Sequence, residues 1–266
     1  MSKIDLAIVT MSYGNNYGNK LQNYAMQVIY ESMGFSVETI RLKPCVCYSE
    51  GIKEKFNNIG GKIQRKIQRI VYKKNINNRK EVFEKFNNER LFLSEKIYAM
   101  NDYHNLNDEK YKIYSVGSDQ VWNTYFDEFT SVYLLDCLDN KKTRISYAAS
   151  LGCDSINPLY KEKFKEELKK FKCISVREEE GKKVLEKIPG ITAKVVLDPT
   201  LLLSQNDWDK FIGTNELKEK NKYILTYFLG KMEPKMKRTI SQYAKKNKLK
   251  IKLCNIQKKM KSIVMT

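Results

Sequence analysis

Residues 4–42 read IDLAIVTMSYGNNYGNKLQNYAMQVIYESMGFSVETIRL, and this stretch decides the fold class. Residues 4–10 form a short apolar run with strand character, followed by a Gly/Asn-rich loop over 12–19. The spacing then predicts a helix over 20–33, with Leu21, Tyr24, Ala25, Val28 and Ile29 sharing one face. Gly34 stops that helix, because glycine tolerates the left-handed backbone a helix end needs. Residues 35–42 alternate as a second strand. A strand, helix and strand in this order form a right-handed crossover, which implies a parallel sheet covered by helices.

The same alternation continues along the chain. Residues 51–90 are basic and helical in pattern, with Ile59, Ile63, Ile67, Ile70 and Val71 at helical spacing and Lys62, Arg65, Lys66, Arg69 and Lys73 opposite them. A second helix runs through Val82, Phe83 and Phe86. Strands are predicted at 112–116, 143–149, 173–176 and 193–197, and helices at 159–171, with Phe164, Leu168 and Phe171 inward, and from Arg177 to near Lys187. This is the pattern of a doubly wound α/β sheet of Rossmann-like kind. After Asp207-Trp208 the pattern restarts with a strand over 223–228, a helix over 234–246 and a strand over 249–253. The expected division is a first domain over 1–215 carrying a basic helical insertion at about 51–100, and the start of a truncated second Rossmann-like domain over 216–266.

With 266 residues and 42% hydrophobic content the chain can bury a substantial core. No apolar run reaches the roughly 18 residues of a membrane span, and the N-terminus reads as a strand and not as a signal peptide, so a cytoplasmic protein is expected. The six cysteines include a C-x-C pair, Cys45 and Cys47, but no CxxC, and His104 is the only histidine. No metal site and no cofactor is expected from these spacings, and Cys137 and Cys173 read as reduced, packed thiols. A formal charge of +18 attracts anionic partners in general. No nucleic-acid motif accompanies it, so nucleic acid ranks last among them. The helix over 59–73, with its apolar stripe and basic face, suits an anionic membrane surface; packing of the stripe on the sheet is the simpler expectation.

Open parallel sheets bind ligands in the loops at the carboxyl ends of their strands. Four such loops stand out. Asn16-Tyr-Gly-Asn19 offers Gly18 and Asn19 for close backbone approach, or simply asparagine caps for the following helix. Gly117-Ser-Asp-Gln-Val-Trp122 offers Ser118 and Asp119, the latter able to orient or deprotonate a sugar hydroxyl, or else to cap a helix. Ser175-Val-Arg177-Glu-Glu places the donor fork of Arg177 at a strand end, where it faces a cleft or pairs with Glu178 or Glu179. Val196-Leu-Asp-Pro-Thr-Leu-Leu202 reads as structural, with Asp198 a cap and the leucines a buried connection between domains.

Taken in order, N-x-G-N-x-L-Q, V-G-S-D-Q-V-W, S-Y-A-A-S-L-G, S-V-R-E and V-L-D-P-T-L-L resemble the polysaccharide pyruvyl transferase family over roughly residues 4–230. The resemblance implies a GT-B-like pair of Rossmann-like domains. It also implies transfer of a pyruvyl group from phosphoenolpyruvate to sugar hydroxyls, forming a ketal in capsule or exopolysaccharide synthesis. By this likeness Arg177 is a ligand of the anionic donor, Ser118 and Asp119 hold polar groups of donor or acceptor with Asp119 as the catalytic acid/base, and Gly18 and Asn19 shape the cleft floor. The implied partners are phosphoenolpyruvate and a sugar or lipid-linked glycan, with peripheral contact at the inner membrane face through the basic helix. The family generally carries a D-S-F-H-G-like segment further on. The sequence has none, and His104 lies in a polar connection that matches no family motif and reads as a surface residue. Two expectations therefore stand side by side: an active transferase, and a catalytically inactive fragment or binding module retaining the Rossmann-like domain.

Overall fold

The computed structural model describes residues 5–43, 80–100, 103–126, 131–213, 222–228 and 232–255. The basic helix expected over 59–73 lies outside them. Two compact units divide the chain, residues 1–204 and 205–266.

The first unit holds strands β1 (Leu6–Val9), β2 (Val37–Lys43), β3 (Leu93–Ala99), β4 (Ile113–Val116) and β5 (Thr143–Ser146) in one sheet of order β3-β2-β1-β4-β5. Every pairing is parallel. Parallel bridges Ile145–Cys173 and Ala149–Val176 lead on to β6 (Ser175–Val176), which pairs with β7 (Lys194–Val195). Helices α1 (Tyr17–Ser32), α2 (residues 80–90), α3 (Lys161–Leu168) and α4 (Glu179–Leu185) lie between the strands in sequence. The sheet is thus the α/β, Rossmann-like arrangement that the alternation predicts. Strand order reverses between β1 and β4, and that is where such sheets open a ligand crevice. The four residues of β1 are all buried, as expected of a central parallel strand covered on both faces.

Both ends of α1 follow from local chemistry. Asn16 is the N-cap, its side chain accepting from the backbone N–H of Gly18 at 2.8 Å and of Asn19 at 3.4 Å. At the other end Gly34 has φ +88°, its N–H donates to Glu31 O, and the Phe35 N–H reaches back to Tyr30 O at 3.0 Å. The Phe35 ring packs on Tyr30 with centroids 6.4 Å apart, completing a Schellman end with its apolar contact.

The buried face of α1 differs from the apolar face expected. Leu21, Tyr24, Val28 and Ile29 are only partly buried, whereas Gln22, Asn23, Ala25, Met26, Gln27 and Tyr30 are buried. The polar members are bonded to the sheet. Gln27 Nε2 donates to Thr39 Oγ1 at 2.8 Å and to Phe92 O at 2.7 Å, and its Oε1 accepts from Phe92 N. Thr39 Oγ1 donates to Asn23 Oδ1, and Tyr30 and Ser115 share a hydrogen bond of 2.7 Å. Bonded in this way, Gln27 costs little to bury, so a glutamine can face a sheet; Asn23 Nδ2 alone of these amide groups is buried with no hydrogen-bond partner among the described residues.

Trp122 anchors the core on the other face. It is fully buried, its indole N–H donates to Tyr133 O at 2.9 Å, and it meets Phe164 and Phe171 edge-on at 6.5 and 6.0 Å. Phe164, Leu168 and Phe171 point inward as expected, although the α-helix is shorter than 159–171, with a 3-10 turn over Pro158–Tyr160 before it and Leu159 exposed. Arg144 is buried and paired with Glu167 at 3.2 Å. The packed-thiol expectation fails for Cys173, which is exposed; Cys137 is partly buried, and burial pushes its thiol up to about 12.

The second unit contains α5 (Gln205–Ile212), β8 (Tyr223–Phe228), α6 (Pro234–Lys246) and β9 (Lys250–Asn255), with β8 and β9 parallel. No helix among the described residues is long and apolar enough to cross a membrane.

Candidate functional site

Four strand ends converge at the reversal point. After β4 the backbone turns at Gly117, whose φ is +133°, and the peptide bond to Ser118 is cis. A Cβ on Gly117 would stand 2.0 Å from Tyr147 O, so only glycine lets the β4 and β5 ends approach this closely. Ser118 is buried and bonded through three of its groups. Its N–H donates to Gln22 Oε1 at 2.9 Å, its hydroxyl donates to Asp198 Oδ2 at 3.1 Å, and its carbonyl accepts from Arg177 Nη1 at 3.2 Å.

Arg177 follows β6 and precedes α4, and its Nη1 also meets Asp198 Oδ2 at 3.1 Å. The expected surface partner Glu178 lies further off, 3.8 Å from Nε, so the principal counter-charge is Asp198. Glu178 is occupied elsewhere. Its Oε1 accepts from Ser150 Oγ at 2.8 Å, Leu151 N at 2.9 Å and Gly152 N at 3.3 Å, tying down the loop after β5.

Asp119 has no helix to cap. Residues 120–126 beyond it form bends and turns. Its Oδ1 accepts from Gln120 N at 2.8 Å, while Oδ2 is buried with no hydrogen-bond partner among the described residues. Burial raises the Asp119 pKa; the Gln120 N–H and the Arg177 charge pull it down, and the Asp198 charge adds to the rise. The rise moves the carboxyl towards its protonated form, the form that can give up a proton.

On the β1 side the link is Gln22. Its Nε2 donates to Thr10 Oγ1 at 3.2 Å and to Asn19 O at 3.0 Å, joining the end of β1, the first turn of α1 and the β4 loop. Asn19 Nδ2 donates to Met11 O at 3.3 Å, which closes the loop after β1. Of the residues singled out in the sequence, Ser118 and Arg177 are in direct contact, Asp119 adjoins them, and Asn19 joins through Gln22. Gly18 is exposed, and its N–H serves the Asn16 cap.

Asp198 carries more than the cap role assigned to it from sequence. Its Oδ1 does cap, accepting from Thr200 N at 3.0 Å and Thr200 Oγ1 at 2.7 Å, but its Oδ2 holds Ser118 and Arg177. Its position at the end of β7 was the available signal. Nor are the leucines around it buried: Leu197, Leu201 and Leu202 are exposed and, with Tyr147, Arg177 and Asp198, line an open recess of about 640 Å³. His104 is exposed and stacked on Tyr103 at 5.4 Å. Among the described residues no three of His, Cys, Asp or Glu stand close enough to hold a metal ion.

A family model described as Polysaccharide pyruvyl transferase matches residues 16–262, a span that takes in all four strand-end loops. No curated protein and no solved structure matches the chain.

Proposed function

The chain belongs to the polysaccharide pyruvyl transferase family, and from that premise we propose that it transfers a pyruvyl group from phosphoenolpyruvate to hydroxyls of a sugar, forming a ketal in cell-surface polysaccharide synthesis. The observation that carries this reading is the nearness of a fixed guanidinium, Arg177, to a carboxyl, Asp119, whose Oδ2 is buried with no hydrogen-bond partner among the described residues. Arg177 binds an anionic group of the donor with the donors its contacts to Ser118 and Asp198 leave free. Asp119, whose pKa burial raises, delivers a proton from its protonated form to the methylene carbon of the donor, and the adjoining carbon becomes an oxocarbenium ion. A sugar hydroxyl attacks that carbon and returns its proton to Asp119. A second hydroxyl then displaces phosphate, which leaves with that hydroxyl's proton, so the carboxyl ends as it began. Ser118 and Asp198 keep the guanidinium in place, and the recess lined by Tyr147 and the leucines receives the acceptor. The acceptor in this reading is a glycan, free or lipid-linked, and the basic residues between Lys62 and Lys73 support contact with an anionic membrane face.

Isothermal titration of phosphoenolpyruvate, combined with NMR of the donor in D2O, tests the assignment. Binding by the chain, loss of binding in Arg177→Ala, and deuterium entry at the methylene carbon that Asp119→Asn abolishes without loss of binding are expected. A folded chain that does not bind phosphoenolpyruvate would sink the reading. Binding without deuterium entry or phosphate release, across a panel of acceptor sugars, would make the chain a binding module.

A further inference from the structure

The first turn of α1 buries a lysine. Lys20 is 2% exposed, and its Nζ donates to Ser12 O at 2.6 Å. No carboxylate among the described residues forms an ion pair with it. An ammonium has three N–H donors, and the Ser12 carbonyl uses one. A buried charge met by a neutral carbonyl alone is costly, because one carbonyl replaces only part of the lost hydration. Helix formation does not explain the residue either, since the first turn of a helix disfavours a cation. Burial brings its pKa down to about 8, the mark of an ammonium without a compensating charge.

Its place in the sheet gives this cation a use. Ser12 follows β1, and its hydroxyl is tied to β2, donating to Ile40 O at 3.0 Å and accepting from Leu42 N at 3.3 Å. Lys20 is thereby fixed at the carboxyl edge of β1. Two residues on, Gln22 connects that edge to Ser118, whose carbonyl holds Arg177. The carbonyls that hold the two cations thus belong to the loops after β1 and β4, which are neighbouring strands of the sheet. Arg177 is already partly neutralised by Asp198, so one cation is left without a counter-charge where the donor would need two.

We propose that Lys20 is a second anion-binding group of this crevice, contacting whichever anionic group of a phosphorylated carboxylate, phosphate or carboxylate, Arg177 does not hold. The inference rests on the donor reading above and adds a residue to it.

The test titrates phosphoenolpyruvate, inorganic phosphate and pyruvate separately into the wild-type chain, Lys20→Met and Lys20→Gln, with thermal melts of each. Lys20→Gln keeps a donor for Ser12 O without the charge. Both variants are expected to bind phosphoenolpyruvate roughly tenfold or more weakly, the scale of one charge-assisted hydrogen bond. Lys20→Met is expected to melt no lower than wild type, because it removes an unpaired buried charge. Whichever of phosphate or pyruvate loses affinity with it identifies the group that Lys20 holds. Wild-type affinity in Lys20→Gln overturns the inference, as does a lowered melting temperature with unchanged affinity in Lys20→Met. Lysine-dependent binding of inorganic phosphate by a chain that ignores phosphoenolpyruvate would retain the site and discard the donor reading. Binding of none of the three overturns both.

Discussion

Two glycines with positive φ sit in opposite surroundings, and replacing each by alanine separates backbone strain from steric exclusion. Gly34 has φ +88° and open space where a Cβ would go. Gly117 has φ +133°, and its Cβ would meet Tyr147 O at 2.0 Å and Tyr147 C at 3.0 Å. At Gly34 only the conformational penalty applies, about 1–2 kcal/mol for a non-glycine residue in the left-handed region. At Gly117 the neighbouring backbone must also withdraw by about an ångström or more, because carbon and oxygen that are not bonded do not approach within about 3 Å. That displacement strains the Tyr147 N–H bond to Val116 O, now 2.8 Å, and the Ser118 N–H bond to Gln22, now 2.9 Å, each worth about 1 kcal/mol. Gly117→Ala should therefore cost about 3–5 kcal/mol. Urea unfolding followed by the fluorescence of Trp122, in a Trp208→Phe background, reads both variants in the same unit. A Gly117→Ala cost no greater than that of Gly34→Ala would refute the claim that close approach of the β4 and β5 ends shapes the Ser118 loop.

Other outcomes follow from the contacts. Asp198→Ala removes the acceptor of Ser118 Oγ, Arg177 Nη1 and both Thr200 donors, and should cost about 1–3 kcal/mol in urea unfolding, with weakened phosphoenolpyruvate binding. Unchanged affinity would show that Arg177 needs no anchor. Glu167→Ala leaves Arg144 charged, buried and without its carboxylate, at a cost of about 3–5 kcal/mol, whereas the paired change Arg144→Met with Glu167→Leu should cost far less. Equal losses in the two would count against burial as the cause. Lys20 also makes a pH prediction. Its folded pKa of about 8 lies below the ordinary 10.5, so above pH 8 the unfolded chain holds this proton more tightly and the lysine's destabilising effect fades as pH rises towards 10.5. The stability advantage of Lys20→Met over wild type should shrink by about 3 kcal/mol across that window, with tyrosine titration cancelling in the difference. A constant gap between urea midpoints at pH 7.5 and pH 10 would contradict it.

Sequence by itself determined the parallel α/β class, the elements of the first crossover unit, the inward set Phe164, Leu168 and Phe171, and the loops that carry Ser118, Asp119 and Arg177. These are local properties: backbone periodicity, a cap at Asn16 and a left-handed stop at Gly34 depend on residues a few positions apart. Only the tertiary structure decided which face of α1 is buried, because glutamine and asparagine count as solvent-facing until their partners are known. Those partners are distant in the chain, as Gln27 with Phe92 and Gln22 with Ser118 show. Asp198 is a parallel case. The Asp-Pro-Thr run announces a cap, and one oxygen does cap, while the other is claimed by Ser118 and Arg177 from two other strand ends. Lys20 is the extreme one, since a lysine in a first helical turn reads as solvated until the β1 and β2 ends close around it. Strand order brings such groups together. It is set by long-range pairing and burial, to which a window of neighbouring residues is blind.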